Sequence, residues 1–252
     1  VIRFLPAPEG EDLPFVKVYS HAFQGPGGWY IESSLTTLGQ KDPVSELNSE
    51  LWNNGTDAGK EQARKQKRKL TYISNIYVVK DPANPENEGK TFLFKYGKKI
   101  FDKLTEAMQP EFEDEEAIDP FDFWQGANFK LKAKNVAGYR NYDSSEFARP
   151  DALLEDDDEM EAVWKKQYSL AEFVAPDQFK TYDELKKRLD YVLGNRGVPM
   201  MQDQETVEME ESFERDRRGE TSNDFNSPDI TMSSSSDDED DETLKYFAAL
   251  AE

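Results

Sequence analysis

Residues 64–80 read Arg64-Lys65-Gln66-Lys67-Arg68-Lys69-Leu70-Thr71-Tyr72-Ile73-Ser74-Asn75-Ile76-Tyr77-Val78-Val79-Lys80. The second half alternates with a period of two. Tyr72, Ser74, Ile76 and Val78 share one face of an extended chain, and Ile73, Asn75, Tyr77 and Val79 share the other. Aromatic and β-branched residues dominate, which predicts a strand over Thr71–Lys80. The first half places five cations directly before that strand. Downstream, 81–89 is rich in turn residues, and Thr91–Tyr96 reads as a strand with Phe92, Phe94 and Tyr96 on one face. Ile100, Phe101, Leu104 and Met108 then follow helical spacing. Asn128–Val136 reads as another strand, with Lys130, Lys132 and Lys134 on one face and Phe129, Leu131 and Ala133 on the other.

Upstream, Val1–Leu5 and Phe15–Phe23 read as strands. Gly25-Pro26-Gly27-Gly28 is a turn, and Trp29–Glu32 resumes the sheet. Residues 41–66 lack alternation. Glu46–Trp52 reads as a short helix broken by Asn53-Asn54-Gly55. Met160–Phe173 reads as a helix. Thr181 and Glu184 form a capping-box pattern for a helix running to Leu193 and stopped by Gly194. Glu111–Asp122 is an acidic loop. From about Met201 periodicity is lost. Ser233–Ser236 and the acidic run 237–242 form a low-complexity tail, for which disorder is expected. The expected class is a β-rich α+β fold over 1–200 with an acidic appendage at 201–252.

The chain has 252 residues, no cysteine and a single histidine, His21. Disulfides and thiolate metal sites are thereby excluded, and a histidine-assisted nucleophile has one candidate and no evident partner set. No apolar run approaches the roughly 20 residues that span a bilayer, and no signal peptide is evident. Because Val1–Leu5 already reads as a strand, a preceding N-terminal segment is expected.

The formal net charge of −21 argues against a polyanionic partner, until it is resolved by segment. Residues 60–103 carry 12 basic and 5 acidic side chains, and 128–149 carry 5 and 2. Residues 203–252 carry 4 and 17. Two cationic blocks therefore sit in an otherwise acidic chain.

Both blocks interleave cations with rings. Arg64, Lys65, Lys67, Arg68 and Lys69 lead into Tyr72. Phe94, Lys95 and Tyr96 precede Lys98 and Lys99. Lys130, Lys132 and Lys134 are followed by Tyr139, Arg140 and Tyr142. Single-stranded nucleic acid binding without sequence preference needs cations for the phosphates and flat side chains for the bases. Each element also has an ordinary reading: an aromatic strand face as core, a lysine stripe as a solvated face, His21, Trp29 and Trp52 as structural residues. The repeated pairing favours a binding surface for single strands. The cleft chemistry leaves DNA and RNA both open, the latter as an RNA-binding module in translational control. Glu113, Asp114, Glu115, Glu116 and Asp119 offer a weaker, metal-dependent nuclease reading.

Several segments carry a family resemblance. Val1-Ile2-Arg3-Phe4-Leu5-Pro6, Trp29-Tyr30-Ile31-Glu32, Val78-Val79-Lys80-Asp81-Pro82 and Pro85-Glu86-Asn87-Glu88-Gly89-Lys90 resemble the single-stranded DNA-binding (gene 32, helix-destabilising) proteins of T4-like bacteriophages. So do Gly97-Lys98-Lys99-Ile100, Gly126-Ala127-Asn128-Phe129 and Asn141-Tyr142-Asp143. The resemblance runs from Val1 to about residue 195, and the Ser-rich, acidic and apolar end resembles the family's tail.

The resemblance implies an oligonucleotide-binding (OB) fold, a five-stranded Greek-key barrel with added helical subdomains and a basic cleft, and no enzymatic activity. It implies that Lys67, Arg68, Lys69 and Tyr72 line the cleft, with Lys95, Lys98 and Lys99 nearby. Phe94, Tyr139 and Tyr142 match family stacking positions, Trp52 falls near another across a loop of different length, and Ile73 replaces a further aromatic. It implies a role in phage DNA replication, recombination and repair in the cytoplasm of the infected bacterial host. The tail would compete with DNA for the cleft. Its Leu244, Tyr246, Phe247 and Leu250 would engage the polymerase, helicase loader and recombination mediator. The family's zinc is held by one His and three Cys. His21 matches the His, but Ser34, Val44 and Leu47 stand at the Cys positions, so no zinc is expected and 33–66 must be held by packing. The family's basic N-terminal arm is not in the sequence, so weakened self-association is expected.

Overall fold

The computed structural model describes residues 1–112, 115–136 and 139–195. These form a mixed α+β structure with antiparallel strands and five α-helices. Contacts divide them into two units: Val1–Val16 with Tyr72–Ala171, and Lys17–Thr71 with the described residues from Glu172 onward. No helix among the described residues is long and apolar enough to cross a membrane.

The first unit is built on β1 (Ile2–Phe4), which pairs antiparallel with β4 (Lys69–Val78) on one side and β6 (Ala127–Lys130) on the other. β5 (Thr91–Tyr96) joins β4 with Tyr72 opposite Tyr96, and β9 (Glu146–Pro150) joins β6. α3 (Lys98–Met108) buries Ile100, Phe101, Leu104 and Met108, the stripe expected from their spacing. The interior is aromatic. The Phe4 ring meets Phe94, Tyr96, Phe121 and Phe129 at centroid distances of 5.6–6.3 Å. One cation lies within this unit. Arg3 is fully buried, and its guanidinium donates to Asn128 Oδ1 and to the carbonyls of Asp122 and Asp151. Gly126 makes room for it, since a Cβ there would collide with the Asp122 carbonyl and the guanidinium.

The second unit contains β2 (Phe15–Gly25) hairpinned to β3 (Gly28–Ser33), α1 (Pro43–Asn53), α2 (Asp57–Lys65) and α5 (Tyr182–Val192). β2 and β4 each carry residues of both units. The apolar centre consists of Phe23, Tyr30, Leu35, Val44, Leu185, Leu189 and Val192. α5 begins at the expected capping box of Thr181 and Glu184, and Gly194, at φ 78°, ends it.

Three expectations need correction. The strand expected over 128–136 is two strands, β6 and β7 (Lys134–Val136), the latter paired with β8 (Tyr139–Asn141). The break is chemical. The Ser145 hydroxyl bonds both the N–H and the C=O of Lys132, replacing a strand partner. The helix expected over 160–173 is α4 (Asp157–Trp164), started by Asp156, whose carboxylate accepts from the N–H groups of Asp158 and Glu159. Beyond it, the Glu11 carboxylate captures the N–H groups of Leu170 and Ala171 and turns the chain into a separate 3₁₀ segment, Ala171–Val174. Finally, α2 was not expected. It is polar nearly all round, so its start shows only in the Thr56 side chain, which accepts from the Gly59 N–H. The tail from 201 on lies outside the described residues.

Candidate nucleic-acid interface

In the second unit, α2 decides where the cations go. Arg64 and Lys65 occupy its last turn, where positive charge complements the exposed carbonyls. Lys60 and Arg64, one helical turn apart, lie over the Trp52 ring of α1 at 5.9 and 5.7 Å. Lys65 is paired with Glu61 at 2.7 Å, and that bond is the main reason the Glu61 carboxyl lies below its usual range. The chain then dips inward at Gln66, which is buried. The Gln66 carbonyl accepts from His21 Nδ1 at 3.0 Å and from Asn48 Nδ2 at 3.1 Å. Past this anchor, Lys67 and Lys69 are exposed, and the Arg68 guanidinium lies 4.3 Å over the Tyr19 ring.

In the first unit, the rings of β4 and β5 divide into two kinds. Tyr72 is fully buried, with Phe101 of α3 stacked on it at 3.9 Å and Tyr96 at 5.7 Å. Tyr96 is 4% exposed, its hydroxyl bonded to Ser74 Oγ at 2.8 Å, and burial pushes its pKa up. Both were expected to face nucleic acid. The structure puts them in the core because α3 folds its apolar stripe onto that face. Phe94, stacked on Tyr96 at 5.5 Å, is only partly covered and keeps ring surface in solvent. Alternation places exposed Lys95 on the opposite face of β5 from Phe94.

Lys98 and Lys99 open α3. Cations at a helix start oppose its dipole, and Gly97 supplies no capping side chain to the N–H groups there. Asp102 holds Lys98 at 3.1 Å and Asp143 holds Lys99 at 2.9 Å, which draws the Asp143 carboxyl below its usual range. A phosphate here would meet the N-terminal amides of α3 together with the two ammonium groups. Lys130 and Lys132 converge on Glu146, at 3.8 and 2.9 Å, and the bond from Lys132 is the main cause of its lowered pKa. Exposed Lys134 lies beyond the break, so the three lysines do not share one strand face. Tyr139 and Arg140 lie on β8, paired with Val136 and Asn135, and Tyr142 follows half-buried. The expected partner-binding residues Leu244, Tyr246, Phe247 and Leu250 lie outside the described residues.

Two contacts were not anticipated, Lys60 over Trp52 and Arg68 over Tyr19. Tyr19, two residues from Lys17 on one face of an expected strand, could have been found from the sequence, whereas the Lys60–Arg64 pairing shows only once α2 is known.

The residues at the family's metal position do not fit a zinc ion. His21 is 1% exposed, with Nδ1 committed to the Gln66 carbonyl and Nε2 3.2 Å from Asp42 Oδ1. Asp42 is itself fully engaged. Oδ1 accepts from the N–H groups of Val44 and Ser45 at the start of α1, and Oδ2 accepts from Leu35 N–H. Burial alone would raise its pKa. Hydrogen bonds from His21 and Ser45, the His21 charge and Ser34 outweigh that and hold it down to about 2. Ser34 bonds Thr36, Val44 is core, and Leu47 packs beside it, so no soft ligand faces the imidazole.

A family model described as "gp32 DNA binding protein like" matches residues 1–193. The chain belongs to this family. Within it, the chain is 40% identical over 199 residues to the single-stranded DNA-binding protein of Enterobacteria phage T4 and 39% identical over 203 residues to that of phage T2. These alignments cover 77% and 79% of this chain and 65% and 67% of those relatives, so the chain spans about two thirds of their length. A shorter match, 45% over 42 residues, covers 17% of this chain and 37% of the single-stranded DNA-binding protein of Escherichia phage SV14.

Proposed function

We propose that this protein binds single-stranded DNA stoichiometrically, without sequence preference and without catalysis, on an OB-type core. The observation that carries the reading is Trp52, partly exposed on α1 with Lys60 and Arg64 over its ring. A flat apolar platform held beside two phosphate-seeking cations is what a non-specific single-strand binder requires. The names of the T4 and T2 relatives support the same ligand. In the first unit, Phe94 supplies the ring, with Lys95, Lys98, Lys99, Lys130, Lys132 and Lys134 as phosphate contacts. Tyr139, Arg140 and Tyr142 continue this set, and Lys65, Lys67 and Lys69 join Arg64 and Arg68 in the second unit. Tyr72 and Tyr96 support these residues from within.

Preferential binding to unpaired strands lowers duplex stability by mass action, which suits replication, recombination and repair of phage DNA in the host cytoplasm. The acidic residues of 201–252 compete with DNA for the cations. When displaced they free Leu244, Tyr246, Phe247 and Leu250 for replication and recombination proteins such as polymerase, helicase loader and recombination mediator. In this reading no zinc takes part, which the buried contact between His21 and Asp42 supports.

The test is titration with oligo-dT, following tryptophan and tyrosine fluorescence at two salt concentrations. Quenching with an affinity that falls steeply with salt is expected. Absence of binding at low salt, even after deletion of 203–252, would refute the reading.

A further inference from the structure

We propose that Tyr19, with Arg68 as its cover, forms an additional base-stacking platform. This inference rests on the single-strand-binding reading above and extends it to a residue outside the cationic blocks. On β2 the odd positions form one face: Phe15, Lys17, Tyr19, His21 and Phe23. Phe15, His21 and Phe23 are buried, whereas Lys17 and Tyr19 are partly exposed. A strand face that is core at both ends thus opens at a lysine and a tyrosine. The Arg68 guanidinium lies over that ring at 4.3 Å.

The pairing is built in by its surroundings. The Tyr19 N–H donates to Thr37 Oγ1 at 2.9 Å, and its carbonyl accepts from Ser34 N–H at 2.8 Å and Thr37 Oγ1 at 3.3 Å. Two residues along, His21 Nδ1 bonds the Gln66 carbonyl, and two residues beyond Gln66 stands Arg68. The buried His21–Gln66 bond therefore fixes both segments close to where the ring and the guanidinium meet. Thr71 Oγ1, bonded to the Val18 carbonyl, fixes them again on the other side. A platform held from both sides loses little freedom when a base arrives.

A guanidinium is flat and weakly hydrated, so it stacks on a ring and presents its other surface to a base, with its N–H groups directed at a neighbouring phosphate. Lysine cannot do this. The platform therefore has a separable signature: the ring and the planar cation contribute stacking, and the charge contributes salt dependence.

The experiment uses the full chain and oligo-dT at several salt concentrations, with thermal melts as the check on folding. Tyr19→Leu is expected to weaken binding roughly tenfold with an unchanged salt slope, and Tyr19→Phe to bind as the parent does. Arg68→Lys is expected to weaken binding without changing the slope, and Arg68→Gln to lower the slope by about 1 as well. Tyr19→Leu combined with Arg68→Lys should cost little more than either alone, since each removes the same platform. If Tyr19→Leu fails to fold, Arg68→Lys against Arg68→Gln carries the test. Parent-like binding by folded Tyr19→Leu, or by Arg68→Lys, would overturn the platform while leaving single-strand binding intact. Failure of the parent chain to bind at all would instead remove the underlying reading.

Discussion

Seven aromatic rings fill the centre of the first unit: Phe4, Phe15, Tyr72, Tyr96, Phe101, Phe121 and Phe129. They meet edge-on, tilted or stacked at 3.9–6.3 Å. The second unit has a smaller apolar cluster and, beside it, a buried imidazole against a buried carboxylate. The first arrangement is tolerant, because many rings share the burial and loss of one leaves the others in contact. The second is specific. Asp42 accepts from the N–H of Leu35 and from two N–H groups of α1, and lies 3.2 Å from His21 Nε2, so one side chain sets the positions of three segments. A short, polar stretch of chain with little apolar surface gains its unique conformation from directed bonds. The same contrast runs through the surfaces. Exposed cations of the first unit are matched largely with carboxylates, and several of the second lie over rings.

The sharpest way to break this comparison is Asp42→Ala. It strands the His21 ring and three N–H groups in the interior, and a loss of about 3–5 kcal/mol is expected. Hydrogen exchange should show the amides of 17–71 losing protection while those of the aromatic core keep theirs. Equal loss in both units would show that they share one stability.

Acid should expose the same asymmetry more gently. Asp42 has a folded pKa near 2, depressed below its value in the unfolded chain. Its contribution is therefore complete above pH about 4 and is lost as pH falls toward 2, on the order of 2 kcal/mol in all. A melt of the second unit that moves down over that window, and an Asp42→Asn variant whose melt does not share this shift, are the expected results.

Phe94→Leu and Tyr72→Leu compare an open ring with a covered one on paired strands. Phe94→Leu should weaken oligo-dT binding about tenfold with little change in melting. Tyr72→Leu should lower the melting temperature and leave the folded protein's affinity unchanged. The reverse pattern would return Tyr72 to the interface. The smallest effect is expected from Glu146→Gln, which releases Lys130 and Lys132. Affinity should rise about threefold at low salt, with a steeper salt dependence.

Much of this was legible in the sequence, and the failures have physical causes. β4 and β5 show themselves by alternation, and α5 by its capping box, because these are local signals. Alternation sorts residues into two faces but does not say which face a distant helix will cover. Tyr72 and Phe94 look alike until Phe101 is seen on the first. The break between β6 and β7 depends on the Ser145 hydroxyl, 13 residues from the backbone it bonds. α2 escapes periodicity because it buries little more than Ala63 and Gly59. At the metal position, the absent thiols were evident, but the recruitment of Asp42 was not, since it rests on a contact with His21 across an intervening hairpin arm and turn that no local pattern records.

The buried Arg3 has a consequence for how the protein is made. Its hydrogen-bond partners lie 119, 125 and 148 residues further along the chain. At about 5–20 residues per second, the ribosome delivers the last of them roughly 7–30 s after Arg3 itself. For that interval β1 is a finished strand without its neighbours, a cation and two apolar side chains awaiting a pocket still being translated. Assembly of the first unit is thus gated by synthesis, and nascent chains stalled before Asp151 are the ones a chaperone should hold.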